Sequence, residues 1–161
     1  MPIFRNFRKD QSITDWAYLA GIIDGEGCFY IGQVTYKEKN KSPNFHSIIA
    51  ISNNEKSLID WLDKIFGKAS DNRYKYQSKR LNEKPTYRWS TSGQLLDYIL
   101  PRIYPFLVIK RKQCKIMIEI RKTFKFNGPK ILSDDIQKER FRLMIEMRKL
   151  NSRFHNHPLK Q

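Results

Sequence analysis

The nonapeptide LAGIIDGEG, residues 19–27, constrains the fold more than any other stretch of this 161-residue chain. Its first half is apolar and contains small residues, which let another backbone approach closely. Its second half holds two carboxylates separated by glycines, which free the chain to turn sharply. A strand-like run of residues 28–31 follows directly. The motif therefore predicts a tightly packed helix that ends at a sharp turn, where Glu26 is placed to hold a divalent cation.

The charge of the chain indicates a polyanionic partner. Lys and Arg outnumber Asp and Glu by 31 to 16, which gives a net charge of +15. Such an excess attracts phosphate backbones or anionic membranes. No apolar run approaches the roughly 18 residues that would span a bilayer, and the basic residues are spread along the chain, so nucleic acid is favoured over a membrane. The two cysteines, Cys28 and Cys114, are too few for a disulfide framework and predict reduced thiols in an intracellular protein.

Periodicity along the chain predicts nine elements in the order α-β-β-α-β-β-α-α-α. Helices are predicted over residues 12–24, 55–66, 93–100, 109–126 and 133–150, and strands over 28–37, 44–53, 73–77 and 86–90. The expected boundary residues are Ser12 or Thr14, Asn54 and Ser133 as N-caps, and Gly67 and Pro101 as helix ends. The prediction is an α+β fold, a four-stranded antiparallel sheet with helices on one face. Residues 1–11 are expected to form a basic arm, 12–126 the core domain, and 127–161 a C-terminal helical extension and tail.

Alternation in the predicted strands separates an apolar face from a polar one. The apolar face, with Phe45, Ile49, Ile51 and Trp89, is expected to lie under the helices. The polar face carries side chains that bond to bases and phosphates, and a two-stranded ribbon fits the major groove. An ordinary solvated face is the alternative, but the ionisable members apart from His46 are all cationic. The predicted DNA-binding residues are Tyr30, Gln33, Thr35, Lys37, Asn44, His46, Ile48, Arg73, Lys75, Gln77, Thr86, Arg88, Ser90 and, outside the strands, Lys112.

The register of the first strand beyond Gly32 stays open. Simple alternation places Gln33, Thr35 and Lys37 on the covered face, together with Phe29. A bulge at Gly32 would turn these polar side chains outward, because a bulge inserts one extra residue into the strand. Their inclusion in the DNA-binding surface depends on that bulge.

The motif LAGIIDGEG resembles the signature of the LAGLIDADG homing endonucleases and matches six of its nine letters. The replacements are Ile22 for Leu, Gly25 for Ala and Glu26 for Asp. Residues 105–113, PFLVIKRKQ, also resemble the family in the spacing from Pro-Phe-Leu to the lysines and the glutamine. The resemblance covers roughly residues 14–126 and implies the αββαββα fold with a saddle-like sheet. For the motif alone, an ordinary helix with a glycine C-cap is the alternative.

The resemblance implies the residues of the site. Glu26 corresponds to the last acidic letter of the motif and is expected to bind metal, with the main-chain carbonyl of Gly25 as a second ligand. Asn53 aligns with the water-positioning residue, usually Gln, and Lys110 with the basic residue next to the scissile phosphate. Asn53 as a helix cap and Lys110 as a solvated charge are the alternatives. Asp24 is expected to bond backbone amides at the helix end rather than a metal.

The resemblance also implies the assembly and the reaction. Single-motif members dimerise through their LAGLIDADG helices, so Ala17, Ala20, Gly21 and Asp24 are predicted at the interface of a homodimer. Glu26 of each chain would then lie near the two-fold axis. The pair would hydrolyse both strands of a long pseudo-palindromic site in double-stranded DNA with Mg2+, for which Mn2+ is expected to substitute. This activity would promote the mobility of a host intron.

Two other functions use the same fold, an intron RNA-splicing maturase and a DNA-binding regulator that does not cleave. A metal carboxylate in a basic groove favours the endonuclease, since a pure binder has no need of it. The richness in Lys, Asn, Ile, Tyr and Phe indicates an AT-rich genome. The expected location is therefore an organelle, chloroplast or mitochondrion, or the cytoplasm of a bacterium or phage-infected cell.

Overall fold

The computed structural model describes residues 10–34, 43–67, 84–124 and 132–152 of the chain. The elements are five α-helices, three strands and one 3-10 turn: α1 (Ile13–Glu26), β1 (Gly27–Val34), β2 (Asn44–Asn53), α2 (Lys56–Phe66), β3 (Tyr87–Ser92), α3 (Gly93–Ile103), the 3-10 turn (Tyr104–Phe106), α4 (Arg111–Lys122) and α5 (Asp134–Ser152). Within these ranges no helix has the length and apolar character needed to cross a membrane.

Helix α1 begins at a capping box and ends without a left-handed residue. The Ser12 hydroxyl accepts from the Asp15 N–H, and the Asp15 carboxylate accepts from the Ser12 N–H, as expected for a Ser12 cap. At the other end Gly27 has φ −81° and passes directly into β1. A Cβ at Gly27 would lie 2.7 Å from the Cα of Ile23. Gly27 is therefore required by close approach of the backbone, and not by a positive φ.

The sheet is antiparallel in the order β1-β2-β3. Gly27 pairs with Ile51 at one end of the β1–β2 ladder, and Ile51 pairs with Trp89 in the β2–β3 ladder. The expected fourth strand, 73–77, lies outside the described residues. The outer edge of β1 is covered by α5, where Asn151 Nδ2 donates to the Phe29 carbonyl at 2.9 Å. Covering an edge in this way prevents pairing with another chain.

The core lies between one face of the sheet and the helices. The predicted apolar residues Phe45, Ile49, Ile51 and Trp89 are all buried, which confirms the alternation. The Trp89 indole N–H donates to the carbonyl of Gly67 at 3.2 Å, so this buried donor is satisfied. Helix α5 contributes to the same core. Burial of these large side chains supplies the main favourable free energy of such a fold, about 1.5–3 kcal/mol for each.

Predicted boundaries of α2, α3 and α4 differ from the structure. Asn54 does not cap α2: the N-cap is Glu55, and Asn54 Oδ1 instead accepts from the Thr86 hydroxyl at 3.1 Å. Pro101 does not end α3, which continues to Ile103 because a proline near the end of a helix removes only one hydrogen bond of the last turn. Helix α4 begins at Arg111 rather than 109 and ends at residue 122 rather than 126. Gly67 ends α2 as predicted, with φ 83°.

Candidate metal centre and nucleic-acid interface

Asp24 ties the end of α1 to the segment that precedes α4. Its Oδ2 accepts from the Val108 N–H at 2.7 Å, and its Oδ1 accepts from the Lys110 N–H at 2.8 Å. These partners lie 84 and 86 residues further along the chain. Both carboxylate oxygens therefore bond to backbone amides, which fits the structural role expected for Asp24. The amides belong to the distant segment 108–110, however, and not to the end of its own helix.

The ammonium group of Lys110 lies against the C-terminal end of α1. Its Nζ donates to the carbonyls of Ile23, Asp24 and Gly27 at 2.8, 2.9 and 2.7 Å. An ammonium has three N–H donors, and all three are directed at the main chain. Burial lowers the pKa of Lys110, while the charges of Asp24 and Glu26 act in the opposite direction. In the chain alone Lys110 thus contacts the end of α1 and the start of β1, and the contact with a phosphate that the resemblance implied stays a prediction.

Glu26 is the accessible carboxylate at this junction. It is the last residue of α1 and exposed, and within the described parts of the chain it has no hydrogen bond or ion pair. Gly25 is also exposed, and its carbonyl is not among the acceptors of Lys110. Carboxylate and carbonyl oxygens are ligands that Mg2+ prefers, so these two groups fit a divalent cation. Over residues 10–34, 43–67, 84–124 and 132–152, however, no three metal-binding side chains come together. At this junction the described part of one chain therefore offers one exposed carboxylate and one exposed main-chain carbonyl.

Asn53 ends β2 close to this junction. Because Gly27 pairs with Ile51, the end of β2 runs beside the end of α1. The Oδ1 of Asn53 accepts from the Glu55 N–H at 2.8 Å and so supports the start of α2. This contact corresponds to the helix-capping role, which is the alternative to a water-positioning role for Asn53. It occupies the carbonyl oxygen of the side chain and leaves its amino group for any second role.

The uncovered face of the sheet carries the predicted binding residues that the structure describes. Their alternation and register put Tyr30, Asn44, His46, Ile48, Arg88 and Ser90 on this face. Thr86 precedes β3 and bonds to Asn54, and Lys112 is exposed on α4. Outside the described residues lie Thr35, Lys37, Arg73, Lys75 and Gln77.

The expected bulge at Gly32 is absent. The ladder continues one residue to one, with Gly32 opposite His46 and Gln33 opposite Phe45. Gln33 therefore lies on the covered side, half-buried, and its assignment to the DNA-binding face is wrong for this register. The reason for a glycine is the His46 ring, which a Cβ at Gly32 would strike. The same ring contacts Tyr30, with ring centroids 5.6 Å apart.

The first helix exposes a stripe of mostly small residues. Ile13, Ala17 and Gly21 follow each other at four-residue spacing and are all exposed. A Cβ at Gly21 would meet nothing within 4 Å. Ala20, which was predicted at the same interface, is fully buried in the core, because it lies about 100° around the helix from Gly21. Asp24 is half-buried and held by the contacts given above.

Exposed apolar side chains near α1 were missed in the sequence. Val108 is 81% exposed and Ile109 is 60% exposed, and Tyr18 of α1 is exposed against Trp61. A Val-Ile pair after Pro-Phe-Leu is typical of a buried run, so the sequence offered little signal. The bonds from Asp24 to the backbone hold this pair at the surface instead.

The profile of one protein family, LAGLIDADG endonuclease, matches residues 19–120, which is more than half of the chain. The chain belongs to the LAGLIDADG endonuclease family. The matched segment begins at the motif and ends within α4, so it contains Glu26, Asn53 and Lys110. No curated protein sequence matches the chain.

Solved structures of LAGLIDADG proteins share the fold. The homing endonuclease I-CvuI, crystallised in complex with DNA, is 18% identical with a TM-score of 0.67, covering 92% of this chain and 86% of that one. The archaeal intron-encoded I-Vdi141I, complexed with DNA, is 16% identical with a TM-score of 0.68, covering 92% and 89%. I-GzeII, in complex with its DNA target, is 16% identical with a TM-score of 0.59, and the match covers 93% of this chain but 51% of that one.

Proposed function

We propose that this chain is a site-specific homing endonuclease that hydrolyses both strands of a long pseudo-palindromic DNA target as a homodimer, with a divalent metal, and promotes mobility of its host intron. The observation that carries the proposal is that the charged side chains at the end of α1 have different partners. Asp24 and Lys110 bond to the main chain, which leaves Glu26 exposed as the carboxylate for chemistry. A family member that only bound DNA would not need this carboxylate.

The residues at the junction suit a magnesium ion. The Glu26 carboxylate and the Gly25 carbonyl would hold it, and Mn2+ would substitute. When bound, such a cation supplies activation of a nucleophilic water and relief of charge on the phosphoryl oxygens. The chain itself would hold the two ligands at the end of α1, and Asn53, at the end of the neighbouring strand β2, would orient a water molecule. Crystals of I-CvuI with DNA were studied with Mg and with Ca, which supports a divalent ion.

Two features support a homodimer. The I-GzeII chain is matched over only 51% of its length, so this chain corresponds to about half of that endonuclease. The exposed stripe of Ile13, Ala17 and Gly21 ends beside Gly25 and Glu26. A second chain packed on this stripe would bring the two Glu26 carboxylates together, and the small residues would allow close approach of the helices.

Double-stranded DNA is the proposed substrate. The net charge of +15 favours association with phosphates, and the uncovered face of the sheet presents Arg88, Asn44 and Tyr30. Amide and guanidinium groups on such a face read base edges in the major groove. We further propose that the protein acts where an intron-bearing genome resides, in an organelle or in bacterial or phage-infected cytoplasm.

Cleavage of plasmid DNA tests the proposal. The plasmid carries the intron-less insertion site of the reading frame, and the purified protein is added with Mg2+. Linear product is expected from the wild-type chain and from Glu146→Gln, which removes an exposed carboxylate on α5. Glu26→Gln should bind the site and leave it intact. Intact plasmid with tight binding by the wild-type chain would favour the regulator, and rescued splicing without cleavage would favour a maturase.

A further inference from the structure

We infer that Lys110 is a positioning residue for the metal centre, which fixes the end of α1 so that Gly25 and Glu26 are held in place, and that it does not contact the scissile phosphate. The inference rests on the proposed function and concerns the same site. It changes the role of Lys110 from a group that acts on the substrate to one that acts through the backbone.

The acceptors of Lys110 surround the two ligand residues in sequence. Ile23 and Asp24 precede Gly25 and Glu26, and Gly27 follows them. The main-chain N–H of Lys110 adds a fourth contact, to Asp24 Oδ1 at 2.8 Å. The backbone on both sides of the ligands is thereby fastened to one side chain that comes from 83–87 residues away.

The backbone at the end of α1 needs such contacts to keep one conformation. The Ile23 carbonyl also accepts from the Gly27 N–H, where the helix ends. Carbonyls beyond it lack partners within the helix, and Gly25 and Gly27 on either side of Glu26 permit many backbone conformations. Three carbonyl dipoles converge at the end of α1, which is an arrangement that a cation stabilises. Without the ammonium, the carbonyls of Asp24 and Gly27 would turn towards water, and the ligand oxygens of Gly25 and Glu26 would turn with them.

Arginine at position 110 distinguishes the two roles. A guanidinium keeps the positive charge and bonds to phosphate, so it retains the attraction that a lysine would supply at a scissile phosphate. Its planar fork cannot converge on three carbonyls around one point, as the ammonium does at 2.7–2.9 Å. A phosphate contact therefore predicts that Lys110→Arg is active, and positioning predicts that Lys110→Arg is as impaired as Lys110→Met.

The experiment compares Lys110→Arg and Lys110→Met with Lys149→Met, which removes one exposed charge on α5. Three quantities are measured: the Mg2+ concentration for half-maximal cleavage, amide hydrogen exchange over residues 25–28 without metal, and the salt dependence of DNA binding in EDTA. Loss of partners that orient metal ligands costs about 10–100-fold in metal affinity or activity. We expect both Lys110 variants to need about 10–100-fold more Mg2+ and to exchange faster at 25–28. Their salt slope should equal that of the wild-type chain.

Two results would overturn the inference. One is Lys110→Arg cleaving with the wild-type Mg2+ requirement. The other is a salt slope of DNA binding that is smaller in Lys110→Met by about 0.9 for each subunit, which marks the loss of one phosphate contact. If the wild-type chain cleaves no DNA, the proposed function fails, and the exchange measurement still decides the role of Lys110. Unchanged exchange at 25–28 in folded Lys110→Arg would then refute positioning, and faster exchange would support it.

Discussion

Replacement of Asp24 by Asn should destabilise the chain well beyond the loss of an ordinary surface charge. The carboxylate accepts two backbone N–H groups at 2.7 and 2.8 Å and joins α1 to the segment 108–110. Hydrogen bonds to a charged group contribute about 1.5–3 kcal/mol each. Asn keeps one acceptor oxygen, but its amino group faces the second N–H. Val108 is exposed, so its amide can bond to water after the change. We therefore expect a loss of about 2–3 kcal/mol.

The assay is urea unfolding followed by circular dichroism at one fixed protein concentration. The matched control is Asp60→Asn, which breaks an exposed pair with Lys56 four residues earlier on α2. Such pairs contribute about 0.3–0.5 kcal/mol. If Asp24→Asn lost no more free energy of unfolding than Asp60→Asn, the two amide contacts would not bridge these segments. Asp24 would then be a candidate metal ligand.

Three further predictions concern single positions. Gly32→Ala should cost about 1 kcal/mol of unfolding free energy, because the added methyl meets the rings of His46 and Tyr30, which lie on the uncovered face and can move aside; an equal cost in the His46→Ala background would contradict the His46 contact. One thiol per chain should react quickly with Ellman's reagent at pH 8, since Cys28 is exposed and burial raises the pKa of Cys114 to about 12; two fast thiols would be inconsistent with this burial. Gly21→Arg enters open space in the single chain, so the fold should persist while sedimentation changes from dimer to monomer; a persisting dimer would remove α1 from the interface.

The parts of the fold that depend on local pattern were predictable. Phe45, Ile49 and Ile51 lie at even spacings along β2 and are all buried, as expected for the covered face of a strand in which successive side chains point to opposite sides. The start of α1 was predicted at Ser12 or Thr14 from their hydroxyls, and the structure shows the Ser12 cap, whose partner Asp15 lies in the same turn.

The parts that depend on contacts between distant residues were not predictable. The sequence left open whether Gly32 marks a bulge, because the ring of His46 that a Cβ there would strike lies on another strand. The burial of Ala20 depends on how α1 is rotated against the sheet. The sequence did not reveal this rotation, because Ala17, Ala20 and Gly21 put small residues on two adjacent faces of the helix. The contacts of Lys110 join positions 83–87 residues apart, and no spacing in the sequence encodes them.

The number of chains on the DNA tests the central claim most directly. Under the proposed function two copies meet through α1, and the Glu26 carboxylate exposed at each junction is brought close to its counterpart on the DNA. Native mass spectrometry of Glu26→Gln bound to its uncut duplex measures this number. The account predicts two 19.3-kDa chains on each duplex. A single chain on each duplex would contradict it.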